Sequence, residues 1–247
     1  MLSTSVCLVF LGVVIIHIGL FDVTCSVVLS ASPAIAIDGE SVTLTCTYSG
    51  SEGVTGFAWF LNGKTVAVFV LPECRPFARP GPPDPLFFEY ACLSNNQSSF
   101  TVKRISLKQN GERWQCAAAA PGYLYSSNVT ITVEVAVTNV SLQSPSGSIT
   151  EHIKTTFSCK TSLSKPAANM IWYKESGSGQ RQMITNEIVS ATMNVGDLQM
   201  STSILKYSPT RSDNGYEIFC TAINIDGRTP ITSAKFKMLV QCKSCVS

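Results

Sequence analysis

The strongest constraint on this chain is a spacing that occurs twice. Cys46 lies in SVTLTCTY, where Val42, Leu44 and Cys46 alternate with Thr43, Thr45 and Thr47, and Trp59 follows 13 residues later in GFAWFLN. A period of two marks a half-buried strand with Cys46 on its apolar face. Phe57, Trp59 and Leu61 share a face in the same way, and the chain then reaches NGERWQC with Cys116. The second half repeats the plan: Thr155, Phe157 and Cys159 line one strand face, Trp172 follows again after 13 residues, and SDNGYEIFC supplies Cys220. One such triplet is weak evidence. Two with the same first interval are a tandem repeat.

A two-sheet sandwich explains the pattern. A cysteine from each facing sheet bridges the core, and a tryptophan from a neighbouring strand packs against the bridge. Bridges Cys46–Cys116 and Cys159–Cys220 would each close a loop worth on the order of 4 kcal/mol in the chain-entropy model. Zinc sites need paired ligands at short spacing, whereas these cysteines stand singly within strands. The length of 247 residues also suits two domains.

On these residues the chain resembles the immunoglobulin superfamily, all-β, with two tandem immunoglobulin-like β-sandwiches at about 27–136 (V/I-like) and 137–240 (C2-like). The run SILKYSPTRSDNGYEIFCTAIN, from Ser203 to Asn224, is similar to the E–F region of C2-type domains in nephrin-like and nectin-like cell-surface proteins. The resemblance implies that Leu205 is a core residue and that Asp213-Asn214-Gly215 is a turn. The tyrosine of the family's corner motif is replaced by Ile218 in the second domain and Trp114 in the first. No Gly/Ser-rich or Pro-rich spacer separates the domains.

Ten cysteines in a weakly charged chain point away from the reducing cytosol. Residues 1–25 read as a signal peptide, with an apolar run from Val6 to Leu20 that is short for a membrane span, and cleavage is expected after Cys25 or Ser26. The alternative is an N-terminal anchor. After signal removal no membrane span is expected, so the chain is expected to be secreted. Asn96, Asn128 and Asn139 each open an Asn-x-Ser/Thr glycosylation acceptor.

Residues 71–92, LPECRPFARPGPPDPLFFEYAC, break the strand rhythm with six of the chain's twelve prolines. These prolines, between Pro72 and Pro85, are expected to exclude regular strand or helix there. Cys74 and Cys92 flank it and pair most simply with each other. Phe77, Arg79, Phe87, Phe88 and Tyr90 are either contacts of a recognition loop or cover for the sandwich edge. A second candidate is AAAAPGYLYSSN, where Tyr123, Leu124 and Tyr125 follow a Pro-Gly turn signal. Tyrosine offers large contact area with few rotatable bonds, although alternate members of this triplet could simply begin a strand. The tail, 241–247, holds Cys242 and Cys245, expected to bridge two chains, to pair locally or to belong to a further segment.

Function classes narrow accordingly. A net charge of +2 gives no electrostatic case for nucleic acid. Beyond the signal segment His152 is the only histidine, and it lies beside Glu151 with no nucleophile motif, so no catalytic or metal site and no cofactor is expected. The expected function is extracellular recognition of a protein or glycan in adhesion or immune defence. The alternatives are a soluble or truncated receptor ectodomain, the recognition part of a defence lectin resembling mollusc fibrinogen-related proteins, and an extracellular structural spacer.

Overall fold

The structure, a computed structural model, describes residues 25–242; the expected signal segment up to residue 24 and Cys245 lie outside the described residues. The chain divides into two compact units after Val133. The second unit thus begins about three residues before the boundary at 136/137 that the strand pattern of the sequence suggests. Val135 is the reason: its N–H and C=O both bond Lys165 of that unit.

The first unit contains β1 (Ser26–Ser32), β2 (Ile35–Ile37), β3 (Val42–Ser49), β4 (Gly56–Leu61), β5 (Lys64–Val70), β6 (Arg75–Pro76), β7 (Phe88–Ser94), β8 (Gln97–Val102), β9 (Arg113–Ala120), β10 (Gly122–Tyr125), β11 (Val129–Thr130) and β12 (Thr132–Glu134). One sheet runs β1-β3-β8-β7 and the other β10-β9-β4-β5-β6, with β11 also on β9. In β3 Val42, Leu44, Cys46 and Tyr48 are buried and the alternating threonines are not. Cys46 and Cys116 form the inter-sheet disulfide, with Cα atoms 6.2 Å apart. Trp59 stands opposite Cys116 in the register, is fully buried, and tilts against Phe100 at 5.5 Å. Cys25 is disulfide-bonded and packs against this core. A cut after it would remove that contact but leave β1 whole.

The second unit contains β13 (Val140–Gln143), β14 (Ile149–Thr150), β15 (Thr155–Thr161), β16 (Asn169–Glu175), β17 (Arg181–Ile184), β18 (Ile188–Val195), β19 (Leu198–Tyr207), β20 (Glu217–Ile223), β21 (Ile231–Thr232), β22 (Phe236–Lys237) and β23 (Val240–Gln241). Its sheets run β13-β15-β19-β18 and β17-β16-β20-β21, with β22 on β20, while β14 pairs β23 in parallel. Cys159 bridges to Cys220, and Trp172 lies opposite Cys220. Each sandwich therefore buries one disulfide and one tryptophan at matching register positions.

The replaced corner tyrosines leave two buried apolar residues, Trp114 and Ile218. An asparagine makes the corner bond instead. Asn110 Oδ1 accepts from Val133 N at 2.9 Å, and Asn214 Oδ1 accepts from Val240 N at 3.0 Å. In both units a short 3₁₀ turn precedes that asparagine.

Candidate functional site

The insert is not irregular throughout: within Pro72–Pro85, Arg75 and Pro76 form the short strand β6 on the edge of β5, where a proline's missing N–H is tolerated. Its last residues, Phe88 to Cys92, belong to β7, which pairs with β8 across the edge of the sheet. No proline falls in that stretch, and its aromatics have partners: Tyr90 stacks on Phe69 at 4.2 Å and Phe88 meets Phe100 at 5.3 Å. Phe88 and Tyr90 therefore act as packing residues. Cys74–Cys92 clips the base of the insert, with Cα atoms 5.7 Å apart. Phe87 is exposed, with its backbone held beside the end of β8 by hydrogen bonds to Asp84 and Lys103.

Phe77 and Arg79 take a different course. Arg75 and Pro76 pair with β5, and Phe77 N donates to Val68 O at 2.8 Å. This lays Phe77 along the outer edge of β5, where 55% of it is exposed. A groove of about 340 Å³ opens between Phe77, Arg79, Val68 and Val70 on one side and Tyr123 on the other. Gly56 and Ala119 line it as well. The structure thus brings residues from two separate sequence candidates, 77–79 and 123–125, to one surface.

Strand alternation explains why that surface is apolar. The register places Tyr125 opposite Ala117, Ala117 opposite Ala58, and Ala58 opposite Val68. Tyr123 stands opposite Ala119. These side chains project from the outer face of the sheet, because the intervening positions, Leu124, Ala118, Phe57 and Phe69, turn into the core. Leu124 is therefore a core residue rather than a contact, whereas Tyr123 and Tyr125 stay more than half exposed. Phe60 extends the aromatic wall, its ring 5.7 Å from Tyr125. The small residues Gly56 and Ala119 form the floor of the groove between taller walls, while Ala58 and Ala117 beside it are covered, and no charged group stands on these positions. Phe60, Val68, Val70 and the floor went unrecognised in the sequence; alternate positions in GFAWF, VFV and CAAAA were their only trace.

Gly56 permits the floor to lie close to its neighbour. A Cβ there would come within 2.3 Å of Phe69 O. Asn128, the acceptor nearest to this face in sequence, is exposed in the link between β10 and β11, and Asn96 and Asn139 are exposed as well. His152 is exposed and lies 3.6 Å from Glu151, remote in sequence from any nucleophile motif.

The equivalent face of the second unit is built from charges. Tyr173 and Phe219 stack at 5.6 Å, and Arg181 and Lys235 each sit 5.2 Å from the Phe219 ring. Glu175 bonds both cations, and Lys235 also reaches Glu217 at 3.2 Å. These aromatics are covered by an ion-pair network, unlike Tyr123 and Phe77. On this face, among the described residues, the apolar groove belongs to the first unit alone.

The immunoglobulin domain family model matches residues 26–135, and the CD80-like C2-set immunoglobulin domain model matches residues 138–231. No curated protein matches the sequence. Similar solved structures include Rst D1-D2, at 21% identity and TM-score 0.56 over 84% of this chain and 94% of that one. The full ectodomain of mouse nectin-like molecule 4 is 19% identical, with TM-score 0.57 over 84% and 66%. Bovine butyrophilin is 11% identical, with TM-score 0.57 over 87% and 98%. At these identities the likeness is one of fold. With one family model on each of two bridged sandwiches, the chain is a tandem two-domain member of the immunoglobulin superfamily.

Proposed function

We propose that this is a secreted, glycosylated recognition protein that binds a protein partner through the outer β10-β9-β4-β5 face of its first domain. The observation that carries the reading is the groove itself. Exposed Tyr123, Phe77 and Val70 border an apolar floor with Arg79 at the rim, and aromatic and arginine anchors around a desolvated centre are what protein interfaces favour. No bond is made or broken; a rigid sheet presents preformed contact area. Supporting the extracellular part are the disulfides of both domains and three exposed glycosylation acceptors.

The test is to display the full secreted chain as a tetramer against arrayed cell-surface ectodomains and microbial glycans. Any saturable partner should be lost, at least about 100-fold in affinity, by Tyr123→Ser and by Val70→Asp, because both strike the centre of the contact. A partner that binds both folded variants as tightly as the parent places recognition elsewhere and refutes the reading. A partner captured on the glycan array alone also refutes it, since the site is assigned to protein.

A further inference from the structure

The second domain carries an edge that natural sheets usually protect. Strand β18 ends its sheet, pairs only with β19, and is the longest edge strand among the described residues. Edge strands are normally blunted by lysine, proline, a bulge or shortness, because their open backbone groups pair with any extended chain. In the first domain, β7 has such guards: Glu89 within it, a register shift between Cys92 and Ser94, and the Cys74–Cys92 clip. β18, IVSATMNV, has none of these. The nearest charges in sequence, Glu187 and Asp197, lie outside it on either side.

The open groups can be named. Lys206 N donates to Glu187 O. Alternation along the antiparallel ladder then turns the N–H and C=O groups of Val189, Ala191, Met193 and Val195 toward β19. Those of Ile188, Ser190, Thr192 and Asn194 face outward. Only Ile188 of this strand packs against the core; beyond it the side-chain pattern is inverted relative to an ordinary half-buried strand. Ser190 points inward and bonds the buried Ser203 at 3.0 Å, while Val189, Met193 and Val195 are exposed on the other face. There they join Ile204, Met200 and Leu198 across the hairpin in an apolar ladder.

We propose that this edge pairs with the same edge of a second copy of the chain, forming a two-fold dimer through an antiparallel β18–β18 contact. Strand parity admits a register centred on Ala191. Ser190 of one copy then faces Thr192 of the other, and Ile188 faces Asn194, giving about eight backbone hydrogen bonds. Val189 comes against Met193 of the other copy, which joins the two apolar ladders. The smallest side chain of the strand sits on the axis, where identical residues meet. An uncharged strand avoids the like-charge repulsion that an identical partner would otherwise bring, and none of the three glycosylation acceptors lies on β18 or β19. The contact is one strand wide, short of the roughly 800 Å² per partner of a standard interface. It is therefore weak, with a dissociation constant on the order of 10–100 μM.

The experiment is sedimentation equilibrium of the full secreted chain carrying Cys242→Ser and Cys245→Ser, so that no tail disulfide links two copies. The parent should show a reversible monomer–dimer equilibrium. Ala191→Lys should weaken it at least about 30-fold by placing two ammonium groups on the axis. Thr192→Pro should do the same by removing an outward N–H that β19 does not use. Circular dichroism checks both folds, and Ala191→Lys decides alone if Thr192→Pro unfolds. A chain that stays monomeric to about 1 mM, ten times the upper estimate, overturns the proposal. So does a dimer that survives Ala191→Lys but dissociates on Tyr125→Ala, since it would then use the first domain. Partner binding through Tyr123 is read on a separate array, so either proposal can fail without the other.

Discussion

The two sandwiches contain a built-in comparison of a satisfied and an unsatisfied buried pair. In the second domain Trp172 Nε1 donates to Ser203 Oγ at 3.0 Å, and Ser203 stands opposite Cys159 in the β15–β19 register. The corresponding residues of the first domain are Trp59 and Ser98, the latter opposite Cys46. Both are fully buried, yet neither Trp59 Nε1 nor Ser98 Oγ has a partner. The cause is packing. Phe100, where the second domain has Leu205, presses against Trp59, Phe88 and Trp114, and this aromatic cluster sets the indole by its faces rather than by its N–H.

Serine to alanine at the two positions should therefore act in opposite directions. Ser203→Ala strands the Trp172 N–H in a dry core, a cost of about 1–3 kcal/mol, and also removes the Ser190 bond. About 2 kcal/mol in a domain of this size lowers its melting temperature by roughly 10 °C. Ser98→Ala deletes a buried hydroxyl that bonds nothing, and should leave the first domain unchanged or stabilise it by up to about 1 kcal/mol. Scanning calorimetry of the full chain reads both shifts, with hydrogen-exchange mass spectrometry assigning each transition to its domain. Equal losses from the two substitutions would mean that Trp59 and Ser98 are bonded after all, and the packing argument would fail.

Three further outcomes follow from the same structure. Asp213, nearly buried, bonds Lys174 Nζ at 2.7 Å; burial alone would raise its carboxyl, but Lys174 and Thr210 outweigh that and hold it below the usual range. A depressed carboxylate stabilises above its unfolded pKa of about 3.9 and loses that stabilisation as pH falls through the lower folded value. The second domain's melting temperature should thus drop as pH is lowered from about 5 to 2, and Asp213→Asn should flatten that slope at a cost of about 2–3 kcal/mol near neutrality. The smaller part of the slope that remains is due to Glu175, which Lys235 and Arg181 also hold low. Gly56→Ala should destabilise the first domain by at least about 2 kcal/mol in urea unfolding, since its Cβ would press on Phe69 O and the backbone of β5 must yield. Replacing Cys74 and Cys92 together by serine opens a clip spanning 18 positions; it should cost the first domain about 3 kcal/mol and reduce binding of any partner of the Phe77–Tyr123 groove.

The fold was legible because its main determinants are local and doubled. Cys46 and Cys159 sit in strands whose alternation needs only eight residues of sequence, and the 13-residue interval to Trp59 and Trp172 repeats. The site was legible only in pieces. Phe77 and Tyr123 lie 46 positions apart, and only the β9–β10 hairpin and the β5–β6 pairing bring them to one groove. Leu124 looked like its neighbours because aromatic and aliphatic residues are both apolar; strand parity, fixed by the Leu124–Ala118 pairing, sends it inward and the tyrosines outward. Parity also hides the β18 edge. Read alone, IVSATMNV alternates as any half-buried strand would, with its apolar members assigned to the core. The register against β19 reverses that assignment, since Ser203 faces Trp172 and carries Ser190 inward with it. One buried serine thus exposes a whole apolar ladder. A polar substitution at Val189 or Met193 should accordingly leave the domain's stability within about 0.5 kcal/mol, while core residues of the same kind would not tolerate it.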